Sequence, residues 1–274
     1  MIIKTLVEDT PINSDLKTEH GLSLYIETKN HKILFDTGAS DLFLKNAEKL
    51  NVDIASIDTV IISHGHYDHG GGLSSFLNKN PKAKVYIHNK AFEKHYSKRL
   101  NKNVEDIGIN PDIKKNPQII LVKESYYIDE ELELFSNVTG REFFSSCNNS
   151  LFMESENGLV NDTFQHEQNL VIKENGKHVL IVGCAHNGII NIINHFVRLK
   201  GILPEYAFGG FHLFNYGSNK TENLTMVSKI GNHLNQSQTI YYTGHCTGLE
   251  AFNTLKGIMK DKIQYLATGT VVEI

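Results

Sequence analysis

The chain has 274 residues, 40% hydrophobic and 21% charged, with a formal net charge of −4; this is the balance of a soluble globular fold with a substantial core, and it speaks against a nucleic-acid binder. No apolar run approaches the ~20 residues of a membrane span, so no membrane partner is expected. Three cysteines, Cys147, Cys184 and Cys246, make no disulfide framework, and Met1–Val7 is cut short by Glu8 and Asp9 before it could serve as a secretory leader, so the expected compartment is the cytoplasm.

Ile2–Val7, Leu22–Glu27 and Lys32–Phe35 read as strands. A helix follows over about Asp41–Leu50, with Leu42, Leu44, Ala47 and Leu50 on its apolar side. The β-branched run Asp58–Ser63 is a strand that ends at a histidine cluster. A helix over Gly70–Asn78, a strand over Ala83–His88 and a helix near Ala91–Leu100 come next. From about Asn101 to Asn149 periodicity weakens and Asn-Pro occurs twice, which predicts a lid-like insertion with one or two short strands in an otherwise single domain. Regularity returns with strands at Leu151–Glu154, Asn169–Lys173 and His178–Val182, the last two joined by the Asn175-Gly176 hairpin signal. Asn187–Leu199 is a helix with Ile189, Ile190, Ile193, Phe196 and Val197 on one face. Tyr206–Phe208 and Thr239–Tyr242 are strands; Thr221–Leu234 and Leu249–Lys260 are helices. Two runs of strands interleaved with helices predict two sheets packed face to face with helices outside, a doubly wound parallel sheet being the alternative.

Fourteen histidines are present, and several stand at strand ends beside glycine. His64, His66, Asp68 and His69 follow a buried strand and precede Gly70-Gly71-Gly72. Alternate residues of an extended segment project the same way, so His64 and His66 can point at one metal. Asp68 and His69, past the turn, can reach a second. Imidazole and carboxylate suit zinc, iron or manganese. Four residues cannot close two metal sites, and the second half offers three similar places: Gly183-Cys184-Ala185-His186, Gly209-Gly210-Phe211-His212 and Gly244-His245-Cys246, each after an apolar strand.

These motifs, with Ile33-Leu34-Phe35-Asp36-Thr37-Gly38 ahead of them, resemble the metallo-β-lactamase-fold superfamily, in which H-x-H-x-D-H is a specific signature. Finer details, Gly183–Asn191, Gly209–Leu213 and Thr243–Gly248, resemble the branch of dihydropterin-methyl-aminobenzene ribofuranosyl phosphate synthase-like proteins, related to phosphorylcholine-esterase-type phosphodiesterases. The resemblance implies an α+β fold, an αββα sandwich of two mixed sheets with a metal site at one edge. It implies one metal on His64 and His66 and another on Asp68, His69 and His245. Cys184 stands where most members place a bridging Asp; a thiolate there favours zinc, and simple packing is the alternative. For the third ligand of the first metal, His186 is preferred to His166, whose polar surroundings read as surface. Asp36 is implied to support the ligands by hydrogen bonding. His212 is left to bind substrate phosphate or donate a proton. Cys246 is expected to pack. His20, His31, His178 and His233 read as surface, and a substrate contact by His95-Tyr96 has only weak support.

Two metals ~3.5–4 Å apart can share a hydroxide and clamp the oxygens of an in-line displacement. The expected function is therefore a metal-dependent hydrolase using a metal-bound hydroxide, with Asp68 and His212 as catalytic groups, acting on a small phosphate-containing ester such as a phosphodiester. A synthase joining a dihydropterin to a ribofuranosyl aminobenzene phosphate is the first alternative. A metal-binding sensor without catalysis is the second.

Overall fold

The computed structural model describes residues 1–101, 103–156 and 158–274; Lys102, within the segment expected to be an insertion, lies outside the described residues. Two seven-stranded sheets dominate. The first runs Val271–Glu273, Ile2–Val7, Ser23–Glu27, Lys32–Phe35, Thr59–Ile62, Lys84–His88 and Ile119–Val122 in spatial order; its last four strands are parallel and the others antiparallel. The second runs Ile263–Tyr265, Ile240–Thr243, Tyr206–Phe208, Lys177–Ile181, Asn169–Glu174, Leu132–Phe135 and Ser125–Tyr127; its first four are parallel.

The layering follows from the two-residue period of a strand. Ile33, Phe35 and Ile61 of the first sheet meet Leu170, Ile172, Val179, Ile181 and Phe208 of the second in one buried cluster. The alternate residues Leu34, Val60 and Ile62 point the other way, onto Phe43 and Ala47 of the helix Leu42–Lys49 and Phe76 of Leu73–Lys79. Val171, Leu180 and Val182 likewise face the helices Ile189–Lys200, Leu224–Leu234 and Leu249–Met259. Strands buried on both faces are apolar throughout rather than alternating. The result is the αββα sandwich. No helix among the described residues is long and apolar enough to cross a membrane.

Asn175 (φ +51°) and Gly176 (φ +78°) both lie in the left-handed region, as the predicted hairpin turn requires. Two expectations are corrected. Residues 91–100 are not a helix: a short 3-10 turn, Asn89–Phe92, leads into the strand His95–Lys98. The 101–149 segment holds four strands rather than one or two. Three of them, Ile119–Val122, Ser125–Tyr127 and Leu132–Phe135, belong to the large sheets. A small antiparallel sheet of Gly158–Asn161, Leu151–Ser155, His95–Lys98 and Val104–Asp106 stands over the histidine run instead. It is tied there by the Tyr67 N–H donating to the Ile107 carbonyl at 2.8 Å and by Ile107, Leu151 and Phe164 packing near Tyr67.

Candidate metal centre

The parallel strands of both sheets end at the same edge of the sandwich, and every motif residue lies just past such an end. Lys32–Phe35 delivers Asp36, Thr59–Ile62 delivers His64 to His69, Lys177–Ile181 delivers Cys184 and His186, Tyr206–Phe208 delivers His212, and Ile240–Thr243 delivers His245. Gly183 marks the contact of the two edges: a Cβ there would lie 2.2 Å from Ser63 Oγ. Asp36, Ala185, His212 and His245 all hold φ between +47° and +59°. Left-handed backbone at non-glycine residues costs on the order of 1–3 kcal/mol each and is kept only where the surroundings impose it.

The hydrogen bonds fix which nitrogen of each ring faces inward. Ser63 Oγ donates to Asp36 Oδ2 at 2.7 Å, so it accepts from His64 Nδ1 at 2.9 Å. His69 Nδ1 donates to the same carboxylate oxygen at 2.7 Å. His245 Nδ1 donates to Asp9 Oδ1 at 2.8 Å, and His186 Nδ1 to the Asn148 side-chain oxygen at 3.0 Å. All four rings are therefore anchored through Nδ1, and their Nε2 atoms converge. His64 and His186 face each other at 3.3 Å; His69 lies 3.2 Å from His245 and 3.0 Å from Cys184 Sγ. Asp68 Oδ2 is 3.3 Å from His245 Nε2.

This arrangement suits cations. Burial, reinforced by neighbouring imidazoles, holds His64 and His186 well below the usual histidine range. They are neutral, and two lone pairs then face each other in a dry site. Burial acts upward on Asp68, but His69 and the His245 hydrogen bond outweigh it and keep the carboxylate ionised. Burial acts downward on His245, but Asp9 and Asp68 on either side raise it well above its ordinary value, so the two carboxylates favour positive charge at this ring. Neutral imidazole and ionised carboxylate are the ligand forms metals require.

Potential ligand atoms fall into groups whose members lie within 4.8 Å of one another. Asp68, His69, Cys184 and His245 form one group, and His64, Cys184 and His186 form another. Cys184 is common to both, the place of a bridging ligand. His212 joins Cys184 and Cys246 in a third group, with both ring nitrogens buried and unpartnered. His66 is the departure: its ligand atom groups with His95, Asp162 and His166 rather than with His64. His166 is buried, not at the surface. Its Nδ1 accepts from Gly65 N–H at 2.9 Å and its Nε2 faces Asp162 at 3.2 Å, so neither nitrogen is directed at His64. His20 is only half-buried and its role was missed: it stacks on Tyr216 at 4.0 Å, bonds Asp9 through Nδ1 at 2.8 Å and places Nε2 3.6 Å from Asp68. Cys246 is buried as expected, but it also lines the pocket over the centre.

The supporting groups Asp9, Ser63, Asn148, Asp162 and Glu167 went unread in the sequence. Glu167 accepts from the backbone N–H groups of His186 and Asn187 at 2.6 and 3.0 Å, and Glu8 accepts from that of His245 at 2.5 Å. Isolated polar residues far along the chain carry no local signal for such roles.

The sequence profile of the metallo-beta-lactamase superfamily matches residues 16–142. The uncharacterized protein MJ0448 of Methanocaldococcus jannaschii is 30% identical over 282 residues, covering all of both chains. The 7,8-dihydropterin-6-methyl-4-(beta-D-ribofuranosyl)-aminobenzene-5'-phosphate synthase of the same organism is 28% identical over 99% of this chain and 96% of its own. The crystal structure of Tm1679, a metal-dependent hydrolase of the beta-lactamase superfamily, superposes with a TM-score of 0.82 at 30% identity over 100% and 99% of the two chains. Zn(2+)-bound PqqB of Methylobacterium extorquens shares the fold alone, at 10% identity, full coverage of both chains and a TM-score of 0.61. With motif order, strand-end geometry and full-length relatives in agreement, the chain belongs to the metallo-beta-lactamase superfamily, a family of enzymes on small-molecule substrates whose fold normally binds divalent metals.

Proposed function

We propose that this protein is a metal-dependent hydrolase of a phosphate-containing ester, most simply a phosphodiester, with a zinc pair held at the convergent Nε2 atoms. The observation that carries the proposal is the pocket over the two donor groups. Asp68, Cys184, His186 and His212 line its base, and Arg99 stands at its wall. Arg99 is the cation available to a phosphoryl oxygen, since guanidinium matches phosphate geometry. Its pairing with the exposed Glu105 at 2.7 Å is a surface contact that a phosphate can displace.

His64, His186 and Cys184 would hold one ion, and Asp68, His69, His245 and Cys184 the other; the soft thiolate is the reason to favour zinc. Bound there, the ions supply Lewis acidity and a nucleophile at neutral pH. Asp68 holds its position through His245 and His69, where it would ligate the second ion and orient a substrate group beside it. His212 has two unpartnered ring nitrogens within the pocket, so it can donate to the leaving oxygen or bind a phosphoryl oxygen. The small sheet over the run contributes Ser97 and Leu151 to the pocket wall, next to Arg99.

The test is a panel of chromogenic phosphodiester, thioester and lactone substrates on fully metal-loaded protein. Phosphodiester turnover that falls with Arg99→Ala, chiefly through KM, is expected; a loaded protein inert to every phosphodiester overturns the proposal. The full-length similarity to the Methanocaldococcus synthase favours a second reading, formation of a pterin–aminobenzene phosphate product. Tyr67 and Tyr216 in the same pocket wall suit flat aromatic rings, and Arg99 suits the phosphate. A product assay with both condensing substrates separates the two readings.

A further inference from the structure

A second cleft, of about 370 Å³, adjoins the pocket over the metal centre and shares Arg99 and Asn215 with it. It lies between the strand His95–Lys98 of the small sheet and a two-stranded hairpin, Phe214–Asn215 paired with Lys220–Thr221. The strand end contributes Lys98 and Arg99 to the cleft, and the hairpin contributes Lys220. The chain carries a net charge of −4, yet among the described residues three cations and no carboxylate line this cleft. Arg99 pairs with Glu105 at 2.7 Å, whereas among the described residues Lys98 and Lys220 pair with no carboxylate. Like charges gathered in one cleft repel, and an anion between them removes the repulsion.

The floor is built from a buried amide. Asn215 is 6% exposed; its Nδ2 donates to the Cys147 carbonyl at 2.8 Å and to Ser150 Oγ at 2.6 Å, and its Oδ1 accepts from the Ser218 N–H at 2.8 Å. Ser150 and Ser218, which both line the cleft, are thereby held relative to each other. Ser150 Oγ accepts in this arrangement, so its own proton is left to donate. Gly217 in the hairpin keeps Arg99 between the two cavities. A Cβ there would lie 3.0 Å from Arg99 Nη1 and 3.3 Å from its Cδ, so the side chain packs on bare backbone. A guanidinium has five N–H donors in a fixed fork, enough for one Arg to serve an anion on either side.

We propose that this cleft binds a second phosphate of the substrate, which makes the substrate class a phosphate ester whose non-reacting arm ends in another phosphate. The inference rests on the hydrolase reading for the position of the reacting phosphate. A terminal phosphate carries roughly −1.5 to −2 charge and three acceptor oxygens, which matches three cations beside hydroxyl donors better than a singly charged carboxylate does. Lys98 and Lys220 are then the residues that set specificity, and Arg99 is the hinge between the two anions.

The experiment is calorimetric binding to zinc-loaded full-length protein. The probes are alkanediol bisphosphates with spacers of two to six carbons, each compared with the alkyl monophosphate of the same length. Once one phosphate is seated the second binds intramolecularly, so a spacer of the right length is expected to bind wild type at least about tenfold tighter than its monophosphate. Lys98→Ala with Lys220→Ala should close that gap. Lys79→Ala with Lys82→Ala removes the same charge at exposed positions elsewhere and should keep it. The proposal is overturned by a wild type with no gap at any spacer length, by a gap that survives Lys98→Ala with Lys220→Ala, or by one lost equally in the Lys79 and Lys82 control. Because the readout is binding, a gap in protein that turns over no ester would sink the hydrolase reading alone, and turnover without a gap would sink the second phosphate alone.

Discussion

His64, His66, Asp68 and His69 stand within six consecutive residues at the end of one strand, whereas Cys184 and His186 come from one strand end of the opposite sheet and His245 from another. The supports differ in the same sense. On the first sheet, Asp36 alone orients His69 directly and His64 through Ser63. On the second, His186 leans on Asn148 and His245 on Asp9, with no shared member. The first half is thus a coupled network and the second a set of independent parts, so damage should spread in one and stay local in the other.

The largest effect is expected from removing both roles of the contiguous run. His64→Ala with Asp68→Ala takes one donor from each proposed ion. Activity should fall at least about a thousandfold, matching several kcal/mol of lost Lewis-acid stabilisation. Bound metal should fall with it while the circular dichroism spectrum is kept. Full activity in the double variant would remove the basis of the comparison.

Asp36→Asn against Asp9→Asn tests the coupling itself. Losing an outer hydrogen-bond partner typically costs about 10–100-fold in metal affinity. Asp36→Asn should weaken both ions, because His69 and His64 lose orientation together. Asp9→Asn should weaken only the ion on His245. Competition with a chromogenic chelator resolves the two ions; equal behaviour of the variants would show that the halves are not built differently.

The same contrast explains what the sequence made legible. The run His64–His69 announced itself because its donors are close in the chain, and the second-half motifs did so because each glycine-flanked residue follows an apolar strand. Asp9 bonds His245 across 236 positions, and Asn148 bonds His186 across 38. Nothing local distinguishes such residues from surface polar ones. The sequence reads as a helix near Ala91–Leu100, but His95–Lys98 pairs with Leu151–Ser155 as a strand, and tertiary pairing overrides weak local propensity. The αββα layering, by contrast, was legible because strands buried on both faces must read as apolar runs.

A smaller effect separates His186 from His166. His186→Ala removes an inward Nε2 and should cost about a tenfold or greater loss of affinity for one ion. His166→Asn keeps an acceptor for Gly65 N–H and should cost less. The reverse order would return the third ligand to His166 and make His186 a packing residue.

The smallest effect lies at the other edge of the sandwich, where a second clasp joins the sheets without metal. His31 precedes the strand Lys32–Phe35; its Nδ1 is 3.0 Å from Asp58, and its Nε2 is 2.7 Å from Asp129 in the turn of the second sheet. Burial acts downward on His31, but the Asp58 hydrogen bond and the Asp129 charge raise it above its ordinary 6.5. A histidine raised on folding contributes stability that is fully present below the unfolded pKa and is lost as pH rises through the folded one. His31→Ala should therefore lower the urea midpoint at pH 5.5 more than at pH 9. The ring is only partly exposed, but its partners Asp58 and Asp129 stand in solvent, so screening keeps the difference below about 1 kcal/mol, and 0.5 M salt should shrink it further. An equal loss at both pH values would mean that His31 contributes packing rather than charge.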